Sequence, residues 1–175
     1  MSISAPERVW WTPVDKDEKI WVTIALIFCL VTFFMMPFYH VVGKQNTSSE
    51  SYRIDPAEFE KRTELFIQQS EKVGETANGL PIVKPRGEDV YLLARQFQFE
   101  PALQLEKGKT YRFHLSSVDV QHGMSILPLN MNWMVIPEYD YIVTITPTTS
   151  GEFPIVCNEF CGAAHHAMLG MIIVK

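Results

Sequence analysis

Cysteine is scarce in this chain, which contains three among its 175 residues. Cys157 and Cys161 lie four residues apart near the C-terminus, and Cys29 lies alone in the N-terminal part. Small secreted proteins that depend on disulfides carry many more cysteines, so this scarcity excludes a disulfide framework. The two neighbouring thiols therefore indicate a local site.

Basic residues are missing from much of the second half of the chain. No Lys or Arg occurs from Leu115 to Val174, and the net charge of the whole chain is −5. The same stretch contains five acidic residues, Asp119, Glu138, Asp140, Glu152 and Glu159. This balance argues against nucleic acid as a partner and favours a partner with a positively charged surface.

Charged side chains are also missing between Ile20 and Val42, a segment that Lys19 and Lys44 bracket. At about 1.5 Å per residue this segment forms a helix of roughly 34 Å, which is long enough to cross a bilayer. A cleavable signal peptide has a shorter apolar core, and a buried helix of a soluble protein usually keeps a polar face. We therefore predict a transmembrane helix over residues 20–42, with a buried core helix as the alternative.

Residues 1–19 form a polar, charged tail before this helix. Trp10 and Trp11 are adjacent, as in an anchor at the membrane interface. An untethered tail is the alternative. The basic residues of this region slightly favour a cytoplasmic N-terminus.

Residues 43–87 predict a linker that contains an amphipathic helix. Asp55 suits the N-cap of this helix and Pro56 its first position. One apolar stripe follows at a spacing of seven residues, formed by Phe59, Phe66 and Val73. The stretch 74–87 has three Gly and two Pro and predicts a connecting loop.

From residue 88 the apolar period changes to two, which predicts β-strands. Short segments of this kind occur at 90–94, 103–105, 111–115, 141–145, 153–156 and 170–174. Strands of this length, separated by turn residues, are typical of a Greek-key sandwich or barrel. We therefore predict a mainly β domain over residues 88–175 with ligands on the loops at one end.

The densest group of metal-binding side chains is the spacing C-x3-C-x3-H-x2-M, formed by Cys157, Cys161, His165 and Met168. Thiolate, imidazole and thioether are donors that copper prefers, whereas calcium and magnesium prefer oxygen. The alternatives for the cysteine pair are a disulfide, a structural zinc site and ordinary core residues. A second imidazole from a separate strand would complete the set, and His122 is the best candidate.

The segment C-N-E-F-C-G-A-A-H-H-A-M resembles the C-x-E-x-C-G-x-x-H-x-x-M signature of subunit II of haem-copper cytochrome c oxidases. The resemblance extends to Ser150–Phe153 and to the segment Ser117–His122, which is similar to S-x-D-V-x-H. It covers residues 88–175 and, in general plan, the membrane anchor. The single span and the lack of an obvious W-Y-x-Y run are most similar to the short subunit II of B-type, cytochrome ba-like oxidases.

This resemblance implies a cupredoxin-like β-domain that carries a dinuclear copper A centre and follows one transmembrane helix. It assigns the copper ligands to His122, Cys157, the backbone carbonyl of Glu159, Cys161, His165 and Met168. His166, beside His165, does not fit the spacing to Met168 and is expected to be a neighbour. The Glu159 carboxylate is a candidate for a magnesium ion shared with subunit I.

The family's partners are cytochrome c, a haem-bearing subunit I that reduces oxygen, and the lipid bilayer. The resemblance places the copper domain on the outer side of a bacterial or archaeal cell membrane. Candidates for electron input or docking are Phe97, Phe99, Trp133, Glu138 and Asp140. A membrane-tethered copper carrier or electron shuttle outside any oxidase is the alternative function, whereas the chain is too short for a nitrous oxide reductase.

Overall fold

The computed structural model describes residues 13–42, 50–128 and 131–175. The chain divides into two compact units, Met1–Thr47 and Ser48–Lys175. In the first unit, helix α1 spans Lys16–Val42, and none of its residues is buried. By length and composition α1 is able to cross a membrane. It begins four residues before the predicted span, and Trp10 and Trp11 lie outside the described residues.

The second unit is mainly β. Its strands are β1 Glu50–Arg53, β2 Glu71–Glu75, β3 Pro81–Lys84, β4 Asp89–Arg95, β5 Gln98–Glu100, β6 Ala102–Leu105, β7 Tyr111–Ser117, β8 His122–Ile126, β9 Met131–Val135, β10 Tyr139–Ile145, β11 Gly151–Cys157 and β12 Leu169–Val174. Helix α2 spans Pro56–Gln69, and a single 3₁₀ turn covers His165–Ala167. The strand segments predicted from alternating apolar residues all lie in these strands.

The strands form one curled sheet with the order β1-β10-β7-β4-β5-β12-β11-β8-β9, and β6 joins β12 to β3 and β2. The short strand β5 connects the two sides of the curl, because it pairs antiparallel with β4 and parallel with β12. An isolated parallel bridge joins Ser117, at the end of β7, to Pro137, which lies between β9 and β10. The apolar core lies inside this curl and includes Phe99, Leu103, Phe113, Leu115 and Ile155. The predicted mainly β fold is confirmed.

Helix α2 covers part of the outer face of β4. Asp55 caps its N-terminus by accepting hydrogen bonds from the backbone N–H of Ala57 at 2.9 Å and of Glu58 at 3.4 Å. Phe59 is fully buried and its ring lies 5.8 Å from that of Tyr91 on β4. The cap and the apolar face of this helix were therefore predictable from the sequence.

Three details of the predicted linker region were wrong. The helix ends at Gln69, so Val73 belongs to β2 and not to the helical stripe. The predicted loop 74–87 contains the end of β2 and the whole of β3, which pair antiparallel around a turn at Gly79. Strand β1 also occupies residues 50–53, where it pairs with β10. Strands β1 and β2 carry few apolar residues, and almost all of their side chains are exposed.

Candidate metal centre

Strand pairing brings two separate parts of the chain together at one end of the sheet. His122 is the first residue of β8, and Cys157 is the last residue of β11. These strands are antiparallel neighbours, with Cys157 opposite Met124, so the His122 side chain lies beside the start of the loop after β11. That loop carries Cys161 and His165 and returns to β12 just after Met168. Strand pairing therefore brings His122 close to the other donors, although it lies far from them in sequence.

The sulfur and nitrogen atoms of these residues form one continuous cluster. The Cys157 and Cys161 sulfurs are 3.7 Å apart, and His122 Nδ1 lies 3.9 Å from the Cys157 sulfur. On the other side, the Cys161 sulfur lies 3.6 Å from both His165 Nδ1 and the Met168 sulfur. Both cysteines are free, and no disulfide joins them in the structure. Each thiol therefore faces the other thiol and one imidazole.

The donors are shielded from solvent to different degrees. Cys157 and Cys161 are each 4% exposed, Met168 is 1% exposed and His122 is fully buried. His165 is half-buried and His166 is exposed. The structure thus places His165 in the cluster and its neighbour outside it, as the spacing to Met168 indicated.

Burial affects the protonation of the thiols. Desolvation, together with the neighbouring Cys157 sulfur, raises the pKa of Cys161 to about 11. A bound soft cation would reverse this preference, because metal ions bind the thiolate and release its proton. Two buried thiols with no cationic side chain among their described contacts therefore fit a positively charged metal centre.

Asp119 fixes the orientation of the His122 ring. Its carboxylate lies 2.8 Å from His122 Nε2 and also accepts hydrogen bonds from the backbone N–H groups of Gln96 at 2.7 Å and Val120 at 2.6 Å. Burial opposes ionisation of this carboxyl, but the bonds from Gln96, His122 and Val120 outweigh it and hold its pKa below the usual value. With Nε2 held by Asp119, His122 presents Nδ1 to the sulfurs. This is the arrangement by which a carboxylate commonly orients a metal-binding imidazole.

Comparison with known proteins gives independent evidence on the family to which the chain belongs. No family model matches the chain. A cytochrome c oxidase subunit 2 of Thermus thermophilus is 31% identical over 124 residues, which cover 70% of this chain and 86% of the relative. The chain belongs to the cytochrome c oxidase subunit 2 family.

Solved structures agree with this membership in the subunit 2 family. A chain of a heme-copper terminal oxidase dimer matches with a TM-score of 0.59 and 29% identity, covering 91% of this chain and all of that one. A His143Met variant of rusticyanin matches with a TM-score of 0.52 at 18% identity, covering 73% and 99% of the two chains, which shows likeness of fold alone. The predicted cupredoxin-like fold and the predicted family are both confirmed.

The backbone carbonyl of Glu159 contacts the cluster of this subunit 2 family member. The Cys157 thiol donates to the Glu159 carbonyl at 3.2 Å, so that oxygen faces the metal-binding atoms. In the described ranges, the one group of three or more His, Cys, Asp or Glu donors close enough to share a metal is His122, Cys157 and Cys161. The Glu159 carboxylate is not in that group.

The five candidates for electron input or docking do not form one surface. Phe99 is 1% exposed and belongs to the core, so it cannot meet a partner directly. Asp140 is 4% exposed and lies 2.8 Å from Nδ1 of His114, so this carboxylate was wrongly expected on the docking face. Trp133 and Phe97 are half-buried and Glu138 is exposed. These three remain candidates for contact with a partner.

Two positions around the site were not identified from the sequence. Gln96 lies in the turn between β4 and β5, and its side chain donates to the Cys161 carbonyl. Gly123 follows His122, and a Cβ atom there would lie 2.1 Å from Asn158 Oδ1 and 2.9 Å from the Glu159 backbone nitrogen. A glutamine in a turn and a glycine in a strand carry no chemical signature of their own. Only the fold reveals that they contact the ligand loop.

Proposed function

We propose that this chain is the electron-transfer subunit of a respiratory terminal oxidase, in which a dinuclear copper A centre accepts electrons from cytochrome c and passes them to haem in subunit I. The observation that carries the proposal is the pair of unbonded, buried sulfurs 3.7 Å apart, each with one imidazole beside it. This donor set matches the softness that copper requires. Family membership supports the same function.

The residues of the cluster would have different roles in binding two coppers. Cys157 and Cys161 would hold the copper pair with their thiolates, and His122 and His165 would each supply an imidazole nitrogen. Met168 and the Glu159 carbonyl would be weak outer ligands. When bound, such a pair shares one electron between two metals and undergoes outer-sphere electron transfer with little change in its bonds.

The surroundings of these residues suit electron transfer rather than substrate chemistry. Burial of the sulfurs and of His122 keeps water from the metal-binding atoms and leaves the shell rigid. Two thiolates offset most of the charge of a copper pair, which lowers the cost of placing the cluster in a desolvated site. The chain's own residues therefore hold and insulate the centre.

The proposed function also implies which partners the chain has. Helix α1 would anchor the chain in the bilayer, with the copper domain on the outer side of a bacterial or archaeal cell membrane. The haem-bearing subunit I would accept the electron and reduce oxygen. The acidic stretch without Lys or Arg from Leu115 to Val174 would attract a basic cytochrome c. A magnesium ion at the Glu159 carboxylate would require ligands from subunit I.

A membrane-tethered copper carrier is the alternative function, and the burial of the donors argues against it. A carrier must release its metal to another protein, whereas four of the donors here are at most 4% exposed. The two functions differ in copper exchange. An electron-transfer subunit keeps its copper in the presence of a competing chelator, and a carrier loses it rapidly.

Rapid mixing with reduced cytochrome c tests the proposal. The full chain in detergent, loaded with copper, should oxidise cytochrome c rapidly, and Cys157→Ser should abolish this transfer because one of the two thiolates is lost. Cys29→Ser provides the matched control, since Cys29 lies exposed in α1 and outside the cluster. Equal electron transfer in the Cys157→Ser and Cys29→Ser chains would contradict the proposed function.

A further inference from the structure

We call the segment from Asp119 to His122 the His122 arm and the segment from Cys157 to Cys161 the Cys161 arm. One residue outside the ligand set, Gln96, contacts both arms. Gln96 occupies the turn between β4 and β5, far in sequence from the loop after β11. Its backbone N–H donates to Asp119 Oδ2 at 2.7 Å, and its side-chain amide donates to the Cys161 carbonyl. Asp119 in turn holds the His122 ring at 2.8 Å. The two arms that carry His122 and Cys161 are therefore joined through a single residue.

We propose that Gln96 is a positioning residue that sets the spacing between the His122 arm and the Cys161 arm before any metal is bound. This inference rests on the function proposed above and adds a role for a residue that binds no metal itself. The backbone of Gln96 fixes Asp119, and its side chain fixes the peptide that follows Cys161. The turn thus connects the two halves of the ligand set that the sequence separates.

The geometry of the neighbouring residue supports this role. Gly162 directly follows Cys161 and has a φ of +134°, a conformation that residues with a Cβ atom rarely adopt. A Cβ atom built there would lie 2.7 Å from Gln96 Nε2 and 3.1 Å from the Phe97 ring. Glycine therefore permits the close approach by which the amide of Gln96 reaches the carbonyl of Cys161.

Preorganisation is the physical benefit of such a contact. Cys161 lies in a loop that runs from β11 to the 3₁₀ turn at His165, and a loop of this kind has conformational freedom to lose when a metal binds. A hydrogen bond that already restrains the loop reduces that loss and slows the release of the metal. The bond involves a backbone carbonyl and none of the proposed metal-binding side-chain atoms, so a substitution that removes it keeps every ligand residue in the chain.

The closest matched comparison is Gln96→Met against Gln98→Met. Methionine keeps the length of glutamine but has no N–H donor, and the backbone bond from residue 96 to Asp119 stays. Gln98 lies two residues further on, and its amide donates to the Glu100 carboxylate at 3.0 Å instead of to the ligand loop. Both substitutions therefore remove one side-chain hydrogen bond from the same hairpin.

The first measurement uses the full chain in detergent without copper, in a Cys29→Ser background. We expect the cluster thiols to react with iodoacetamide about two- to tenfold faster in Gln96→Met than in Gln98→Met, which is the range that one hydrogen bond supplies. The second measurement uses the copper-loaded chain, from which a chelator should remove copper faster by a similar factor. Gln98→Met should match the parent chain in both.

The alkylation and copper-release rates decide whether Gln96 is a positioning residue. Equal rates in Gln96→Met and Gln98→Met, whether slow or fast, would overturn the role of Gln96. A parent chain that shows no mixed-valence copper spectrum would instead contradict the proposed function. The alkylation rates of the copper-free thiols would still decide whether Gln96 restrains the loop, so the two failures are distinguishable.

Discussion

At the scale of single residues, the centre depends on small distances set by the backbone. His122 and Cys157 lie in neighbouring strands, and the residue after His122 is Gly123. The Asn158 backbone N–H donates to the Gly123 carbonyl at 3.2 Å. The strand and the ligand loop therefore touch directly, with no side chain between them.

Gly123→Ala tests this contact. The new Cβ would lie 2.9 Å from the Glu159 backbone nitrogen, so the backbone of Glu159, whose carbonyl is the proposed weak ligand, would have to move. We expect copper affinity to fall by about tenfold, as for overpacking of a tightly packed site. Competition with a copper chelator measures the change.

Gly87→Ala is the matched control for that substitution. A Cβ at Gly87 meets no other atom within 4 Å, and Gly87 is far in sequence from the ligand loop. Its copper affinity should equal that of the parent chain. If Gly123→Ala also left the affinity unchanged, close packing of β8 against the ligand loop would not be needed for the site.

The sequence predicted the candidate donors of the site but not their surroundings. Cys157, Cys161, His165 and Met168 were predictable because their spacing and chemistry are specific to soft metals. His122 was predictable through the resemblance to subunit II. Gln96 and Gly123 were not, because hydrogen bonding to a distant carbonyl and close backbone packing depend on which strands become neighbours. Asp140 was wrongly expected on the surface for the same reason.

At the scale of secondary structure elements, helix α2 is a support of the sheet and not part of the metal centre. Phe59 of α2 is fully buried, and Glu60 of the same helix pairs with Arg95 at the end of β4 at 2.7 Å. Arg95 also pairs with Glu100 on β5 at 2.7 Å. The helix thus packs against the hairpin whose turn carries Gln96.

Phe59→Ala tests the contribution of this helix to stability. Loss of a fully buried phenyl ring should lower the free energy of unfolding by about 3 kcal/mol. The copper spectrum of the folded fraction should stay unchanged, because α2 contributes no ligand. Denaturant unfolding followed by near-ultraviolet circular dichroism gives the first quantity.

Leu65→Ala on the same helix is the control. Leu65 is 44% exposed, so its truncation should cost far less than that of Phe59. Equal destabilisation by both substitutions would show that the stability of the helix does not depend on burial of Phe59.

Strand prediction was most reliable where apolar and polar residues alternate clearly in the sequence. In β7, Phe113 and Leu115 are fully buried, and an apolar period of two is clear. The strands β2 and β3 were taken for a loop because Gly and Pro are frequent there and the strands have few buried side chains. Pairing with β6 stabilises β3, and that partner is not apparent from local sequence.

At the scale of the whole molecule, the chain combines an apolar helix with a compact β unit. Ser48–Lys175 contains all the proposed copper ligands and the whole apolar core. Helix α1 has no buried residues and supplies no donor to the cluster. We therefore expect membrane attachment and metal binding to be separable.

Removal of residues 1–47 tests this separation. The remaining chain should be soluble without detergent, and its copper spectrum should match that of the full chain. Equilibrium sedimentation and optical spectroscopy measure the two properties. A shortened chain that folds but has lost its copper would show that the helix unit is required to form the centre.

The electron paramagnetic resonance spectrum of the copper-loaded full chain tests the central claim most directly, together with the number of coppers per chain. The account predicts two coppers per chain and the seven-line hyperfine pattern of one unpaired electron shared equally between two copper nuclei. A spectrum from a single isolated copper, with one copper per chain, would contradict it.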